Sequence, residues 1–412
     1  IIWMDRRAVE EARYLGERFG DEIPRRTGLA AEATFTASKL LWLRRHEPEI
    51  TRRAHLFLQP RDCLYHRLTG SFATDPSLAS RTMLYDLRAE RWWAQAAAEA
   101  GVSVAQFPRI HPSSAAPGTL RPEAAGVLGL PAGSPVALGA GDRACEALGL
   151  GLAGGAAMVS TGTTTNVSRV VGEMPEIVPP GVLCSAHCLP GAYLLEQGLS
   201  ASGSILRWLR YDLLGNRLDY AALDALAAQS PPGARGVFLL PFFIGARATR
   251  WNPAARGMWF GLTLGHTLGD LARSVMEGVA YEVRACLEVL GRAGASVDAM
   301  VAAGGGARSA LWRQIIADVA GVPVAMPAQP EAASLGAMLL AAAAVGALKA
   351  RDLADVARRM NPTVETARPD EGNAARYAEW SGLYNDIYTA VAPLYGTLQT
   401  LIDEEERSAE GR

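Results

Sequence analysis

Ala299-Met300-Val301-Ala302-Ala303 running into Gly304-Gly305-Gly306 is the stretch on which the fold turns. Small and apolar residues predict a buried strand, the glycines a turn, and the sequence through Val319 a helix. A predicted strand running into a glycine-rich turn occurs twice more upstream. Residues 135–138 predict a strand that meets Gly139-Ala140-Gly141-Asp142, with a small-residue helix from Ala144. Residues 157–160 predict a strand that meets the Gly-Thr-rich turn 161–165, followed by an apolar strand over 167–171. Further strands are expected at 193–196, 237–240 and 322–326, and helices at 205–214, 271–290 and 334–345. Within 271–290, Val275, Val279 and Val283 recur at fourfold spacing. The first part of the chain predicts helices over 6–20, 37–45 and 61–68, the last stopping at Thr69-Gly70, and a short one within 120–130. Alternating strands and helices predict an α/β protein.

A glycine turn between strand and helix lets backbone N–H groups approach a phosphate, and the helix dipole favours the anion there. One such turn is ordinary loop chemistry. Three of them, one rich in threonine hydroxyls and one followed by Asp142, point to an enzyme that handles nucleotides. None is a Walker loop, since no Gly-Lys-Ser/Thr follows, and Gly304-Gly305-Gly306 lacks the spacing of a dinucleotide fingerprint. Asp142, read alone, serves a helix N-cap as well as it serves chemistry.

Composition narrows the partners. The 412 residues suffice for two domains, 49% are hydrophobic and 20% charged, and the formal net charge is −2. No basic stripe with interleaved aromatics is present, so neither nucleic acid nor an anionic membrane is expected as partner. The alanine-rich run 332–347 is interrupted by Gly336 and Gly346 and is too short to span a bilayer. Five cysteines at irregular spacing fit a reducing cytoplasm. Cys184, His187 and Cys188 lie close together but lack a second ligand pair, so no metal site is expected, and small buried thiols are the simpler reading.

Gly257-Met258-Trp259-Phe260-Gly261-Leu262, then seven residues, then Asp270 to Glu277 resembles the second signature of the FGGY carbohydrate kinases throughout. Residues 36–46, through Lys39, Trp42 and Leu43, resemble the first signature, with a departure at Thr34. Residues 139–148, 160–164, 303–318 and 334–345 resemble, in order, the family's catalytic Gly-Asp segment, phosphate turn, adenosine segment and following helix. The resemblance covers essentially the whole chain and is strongest to the xylulokinase-like members.

The resemblance implies two actin-like (ribonuclease H-like) domains with a cleft between them, over residues 1–151 and 152–396, and leaves a charged tail over 397–412, whose charged residues 404–412 predict fraying. It implies ATP-dependent phosphorylation of a sugar hydroxyl, with a ketopentose such as xylulose as substrate and Mg2+ accompanying ATP. Glycerol, ribulose, gluconate or a deoxy-ketose are the alternative substrates, and a non-catalytic binding protein the alternative class. Asp142 would be the general base. Trp3, Asp5 and Arg143 would border the sugar, although Trp3 reads equally as a core aromatic. Gly162, Thr163, Gly203, Arg207, Gly305 and Ser309 would hold ATP. Sugar and ATP are the partners expected, with a homodimer as the assembly considered. Arg143 stands where the family often has asparagine or glutamine, Arg207 where it often has glutamine, Ser309 where many relatives have asparagine, and Ala246 where xylulokinase-like members have glutamate. The family also opens with a strand and an Asp-x-Gly-Thr turn, whereas this sequence opens at Ile1-Ile2-Trp3. The expectation that follows is a first domain truncated at its start and a chain inactive by itself.

Overall fold

The computed structural model describes residues 1–152 and 154–410. Ala153, inside the expected boundary, and the last two residues of the expected tail lie outside the described residues. The chain divides into two compact units. The first begins at Ile1 and also takes in Val170–Leu195 and Glu331–Pro362. The second takes in Gly154–Arg169, Glu196–Pro330 and the chain from Thr363 onward. The chain leaves the first unit before Gly154 and returns to it twice, so one linear boundary does not separate the units.

Within the first unit, helices Val9–Phe19, Thr36–His46 and Pro60–Thr69 form close to their expected positions. Leu15, Ile23, Leu29, Phe35, Leu40 and Leu84 pack into one buried cluster. The expected strand over 135–138 shrinks to Pro135–Val136, paired antiparallel with Gly118–Thr119. The reason lies in its backbone partners. Pro135 has no N–H to donate, and the next amides are taken by a loop, with Leu138 N bonded to Ala115 O at 2.9 Å and Gly139 N to Ser113 O at 3.0 Å. The helix Asp142–Gly149 packs on Ala333–Ala344 backbone to backbone. A Cβ on Gly336 would lie 1.9 Å from Cys145 O, and one on Gly149 would lie 2.0 Å from Ala332 O. The alanine-rich run is therefore the support of the Asp142 helix.

The second unit carries most of a seven-stranded sheet in the order Thr363–Ala367, Val324–Pro327, Ala299–Ala303, Ala156–Thr161, Thr165–Val171, Tyr193–Leu199, Leu183–Ala186. The last strand and the ends of the two before it are grouped with unit one. Ala156–Thr161 runs parallel to Ala299–Ala303 and antiparallel to Thr165–Val171. Parallel neighbours need a crossover, and the helix Leu268–Arg292 lies in the connection, burying Val275, Val279 and Val283. The second signature is structural here. Asp270 accepts from Thr267 N at 2.8 Å and Ser230 Oγ at 2.6 Å, and Arg273 pairs with Glu277 at 2.7 Å in the core. The fraying expected from 404 is a correction: residues 404–410 continue the helix Glu371–Glu410, which Tyr384 and Tyr395 anchor by burial upstream.

Candidate active site

In the first unit the turn before Asp142 hangs on a buried carboxylate. Asp75, fully buried, accepts from Ser77 N at 3.0 Å, Ser77 Oγ at 2.5 Å, Ser113 Oγ at 2.7 Å and Arg61 Nη2 at 2.5 Å. Arg61 Nη1 donates to Leu138 O at 2.6 Å. Ser77 Oγ accepts from Gly141 N at 2.9 Å. Charge-assisted bonds of this kind are among the strongest available to a fold, and here they fix the peptide that precedes Asp142. Gly141 is the cap, and Asp142 is the first residue of its helix. Its carboxylate is exposed, Oδ1 accepts from Arg143 N at 2.8 Å, and with Gly141 in the cap position it is not the N-cap. The helix dipole favours its negative charge. Beside Arg61, Asp62 is buried, and burial pushes its carboxyl up to about 6.

Arg143 turns to Glu146, Nη1 to Oε2 at 2.8 Å. Trp3 is 63% exposed. Asp5 is gripped by Arg7, with both carboxylate oxygens 2.9 Å from Nε, and these hydrogen bonds hold its carboxyl at about 2. Lys39 Nζ donates to Ile2 O at 2.6 Å and ties this segment to the Thr36–His46 helix. Ala246, where a glutamate was expected by resemblance, is buried and bonds Asn252 through both backbone groups. A cavity of about 300 Å³ in the first unit is lined by Tyr85, Glu90, His111, His187 and Tyr193, and by Ser113 of the Asp75 network. None of the residues expected at the site lines it. Burial holds His187 down at about 4, and its Nδ1 accepts from Leu189 N at 3.3 Å.

In the second unit the glycine turns expected to hold nucleotide meet. Gly203 N donates to Gly162 O at 3.0 Å, and a Cβ on Gly203 would lie 2.4 Å from that oxygen. Ser202 N and Ser204 N donate to Thr163 O at 3.1 and 3.2 Å. A Cβ on Gly306 would lie 2.7 Å from Thr161 Cγ2. The phosphate turn, the helix start and the Gly304–Gly306 turn thus touch where only glycine fits. Gly162, Thr163, Thr164 and Gly305 remain exposed. Ser309 caps the helix Ala310–Ala320, its Oγ accepting from Trp312 N at 3.1 Å. The same hydroxyl bonds Asp224, whose carboxyl burial pushes up. Arg207 is exposed and stacks over Tyr211, 5.2 Å from the ring centroid, rather than on the turns.

Asp75, Ser77, Arg61 and Asp224 went unread in the sequence. The Asp75-Pro76-Ser77 string was a visible signal for a capped helix, but nothing local showed that its carboxylate serves the Gly141 turn. Among the described residues no group of three His, Cys, Asp or Glu is placed to hold a metal ion, and no helix is long and apolar enough to cross a membrane.

Comparison with known proteins places these features in company. Residues 1–149 match the N-terminal domain of the FGGY family of carbohydrate kinases, and residues 157–345 its C-terminal domain. A xylulose kinase of Escherichia coli is 35% identical over 401 residues, covering 96% of this chain and 80% of the relative. A glycerol kinase of Bordetella parapertussis is 34% identical, covering 92% and 77%. The crystal structure of xylulose kinase from Rhodospirillum rubrum superposes with a TM-score of 0.86 at 31% identity, covering 95% of this chain and 79% of that one. The fold is accordingly the two-domain, actin-like mixed α/β fold shared by those kinases.

Proposed function

The chain belongs to the FGGY family of carbohydrate kinases, and on that premise we propose that it transfers the γ-phosphoryl group of MgATP to a ketopentose such as xylulose, with Asp142 as general base. The observation that carries this reading is the exposed Asp142 carboxylate on a turn locked from behind by buried Asp75. A sugar alcohol is a poor nucleophile. A fixed carboxylate orients its O–H and takes the proton as the oxygen attacks phosphorus, forming the new O–P bond. The bond from the γ-phosphorus to the bridging oxygen breaks, and ADP leaves with that oxygen's charge.

The second unit supplies the complementary chemistry. Exposed Thr163 and Thr164 offer amides and hydroxyls, which suit phosphate oxygens, while Gly162 N closes the turn onto Thr164 O at 2.8 Å. Mg2+ enters with ATP as part of the substrate. Gly305 and Ser309 hold the adenosine end, and Asp224 orients the Ser309 hydroxyl. Arg207, stacked on Tyr211, contributes charge to the same surface at most through a change of rotamer. Trp3 and Asp5 border the sugar.

The Arg143–Glu146 pair favours a neutral sugar. A guanidinium already matched by a carboxylate at 2.8 Å is a weak magnet for an acidic substrate. Glycerol is the second reading, favoured by the glycerol kinase among the relatives. A panel of xylulose, ribulose, glycerol and gluconate at fixed MgATP, read by ADP release from the full-length protein, tests the assignment. The highest kcat/KM is expected for a ketopentose and the lowest for gluconate. A preference for gluconate would overturn it. The five cysteines are free thiols, and we place the kinase in the cytoplasm.

A further inference from the structure

We propose that Gln197, with the hydroxyls of Thr165 and Ser204, forms a polar floor beneath the phosphate turn that engages when a polyphosphate is bound, making Gln197 a positioning residue for nucleotide. The inference rests on the nucleotide reading of the turn 161–165.

Gln197 lies on the strand Tyr193–Leu199 and is 3% exposed, yet neither Oε1 nor Nε2 has a hydrogen-bond partner in the protein. Thr165 Oγ1 and Ser204 Oγ are buried and unpartnered as well. Buried polar groups are nearly always bonded, so three such side chains around one turn require a reason.

The geometry supplies it. A Cβ on Gly198 would meet Thr165 O at 3.0 Å and Asn166 Nδ2 at 3.5 Å, so Gly198 and Asn166 share a face of neighbouring strands. Side chains alternate along a strand, which puts Gln197 and Thr165 together on the other face. Thr165 pairs directly with Thr161, and Thr161 is the residue against which Gly306 packs. Gln197, Thr165 and Thr161 therefore share the face that the Gly304–Gly306 turn covers. Farther along that face, Val159, Val167 and Leu195 are apolar and buried, and Leu199 follows Gln197 toward Ser202. From the helix side, Ser204 N already reaches Thr163 O at 3.2 Å.

A leucine at 197 would satisfy packing at no hydrogen-bonding cost. Glutamine there raises the free energy of the unliganded protein, and that free energy is recovered if phosphate draws the Gly162–Thr164 backbone into a shape the floor can bond. A ligand shifts a conformational equilibrium only through such a difference in interaction between two states.

The test uses the full-length protein with ADP as the probe. Thermal midpoints are measured with and without ADP for wild type, Gln197→Leu and Ser204→Ala, together with KM for ATP and for sugar. Gln197→Leu is expected to match or exceed the wild-type midpoint without ADP, to show a smaller ADP-dependent rise, and to raise KM for ATP about five- to tenfold with KM for sugar unchanged. Ser204→Ala carries the same expectation for ADP and decides the matter should Gln197→Leu not fold. Variants that keep the full ADP-dependent rise and the wild-type KM for ATP would overturn the inference alone. A wild type with no ADP-dependent rise would overturn the nucleotide reading of the turn as well.

Discussion

At the scale of single residues, the account depends on Asp75 as much as on Asp142. Ser77→Ala removes the acceptor of Gly141 N, so it should cost about 1–3 kcal/mol in a urea titration. It should also lower kcat while leaving KM for ATP unchanged, since the nucleotide turn lies elsewhere in the chain. Asp75→Ala leaves the Arg61 guanidinium and two hydroxyls without their acceptor, and the expected destabilisation is about 3–5 kcal/mol. His187 gives a pH test. Burial holds its imidazole at about 4, below the ordinary 6.5, so the folded state prefers the neutral ring. Its contribution to stability is present above pH 6.5 and is lost as pH falls toward 4, by about 3 kcal/mol at most. Unfolding free energy should fall less between pH 7 and pH 4.5 in His187→Gln than in wild type. Of these residues only Asp142 was legible, because it follows a strand-like run and a glycine turn. Asp75 was not, because an aspartate before proline and serine looks like any helix cap until Ser113, 38 residues on, is seen bonded to it.

At the scale of elements, close approach of backbones sets the tolerances. The Asp142 helix meets Ala333–Ala344 where a Cβ on Gly336 would lie 1.9 Å from Cys145 O. Gly336→Val should therefore separate the helices and lower stability by about 1–3 kcal/mol or more, read as a drop in the thermal midpoint. Gly203→Val meets Gly162 O in the same way and should abolish the ADP-dependent rise in that midpoint. The strand Ala299–Ala303 and the helix Leu268–Arg292 were plain in the sequence, because their apolar spacing is regular and their ends carry glycine or a capping box. The helix Glu371–Glu410 was hidden by Gly372, Gly382, Pro393 and Gly396, residues that ordinarily interrupt a helix, and tertiary anchors such as Tyr377 and Tyr384 override them. The run 135–138 misled in the other direction: its residues suit a strand, but loop carbonyls took its amides.

At the scale of the molecule, the order of the motifs along the chain revealed the family, while the discontinuous make-up of the two units was invisible, because a sequence does not show where a chain crosses and returns. The second signature illustrates the division of labour. Its charged residues Asp270, Arg273 and Glu277 bond the scaffold, while the chemistry is assigned to residues in the shorter glycine turns. The claim on which all of this rests is that one carboxylate accepts the sugar's proton. Its most direct test is single-turnover phosphoryl transfer from MgATP to a ketopentose, comparing wild type with Asp142→Asn in the full-length protein. Asp142→Asn should keep the ADP-dependent stabilisation and slow transfer by about 10²–10⁴-fold. Transfer at the wild-type rate by Asp142→Asn would contradict the account.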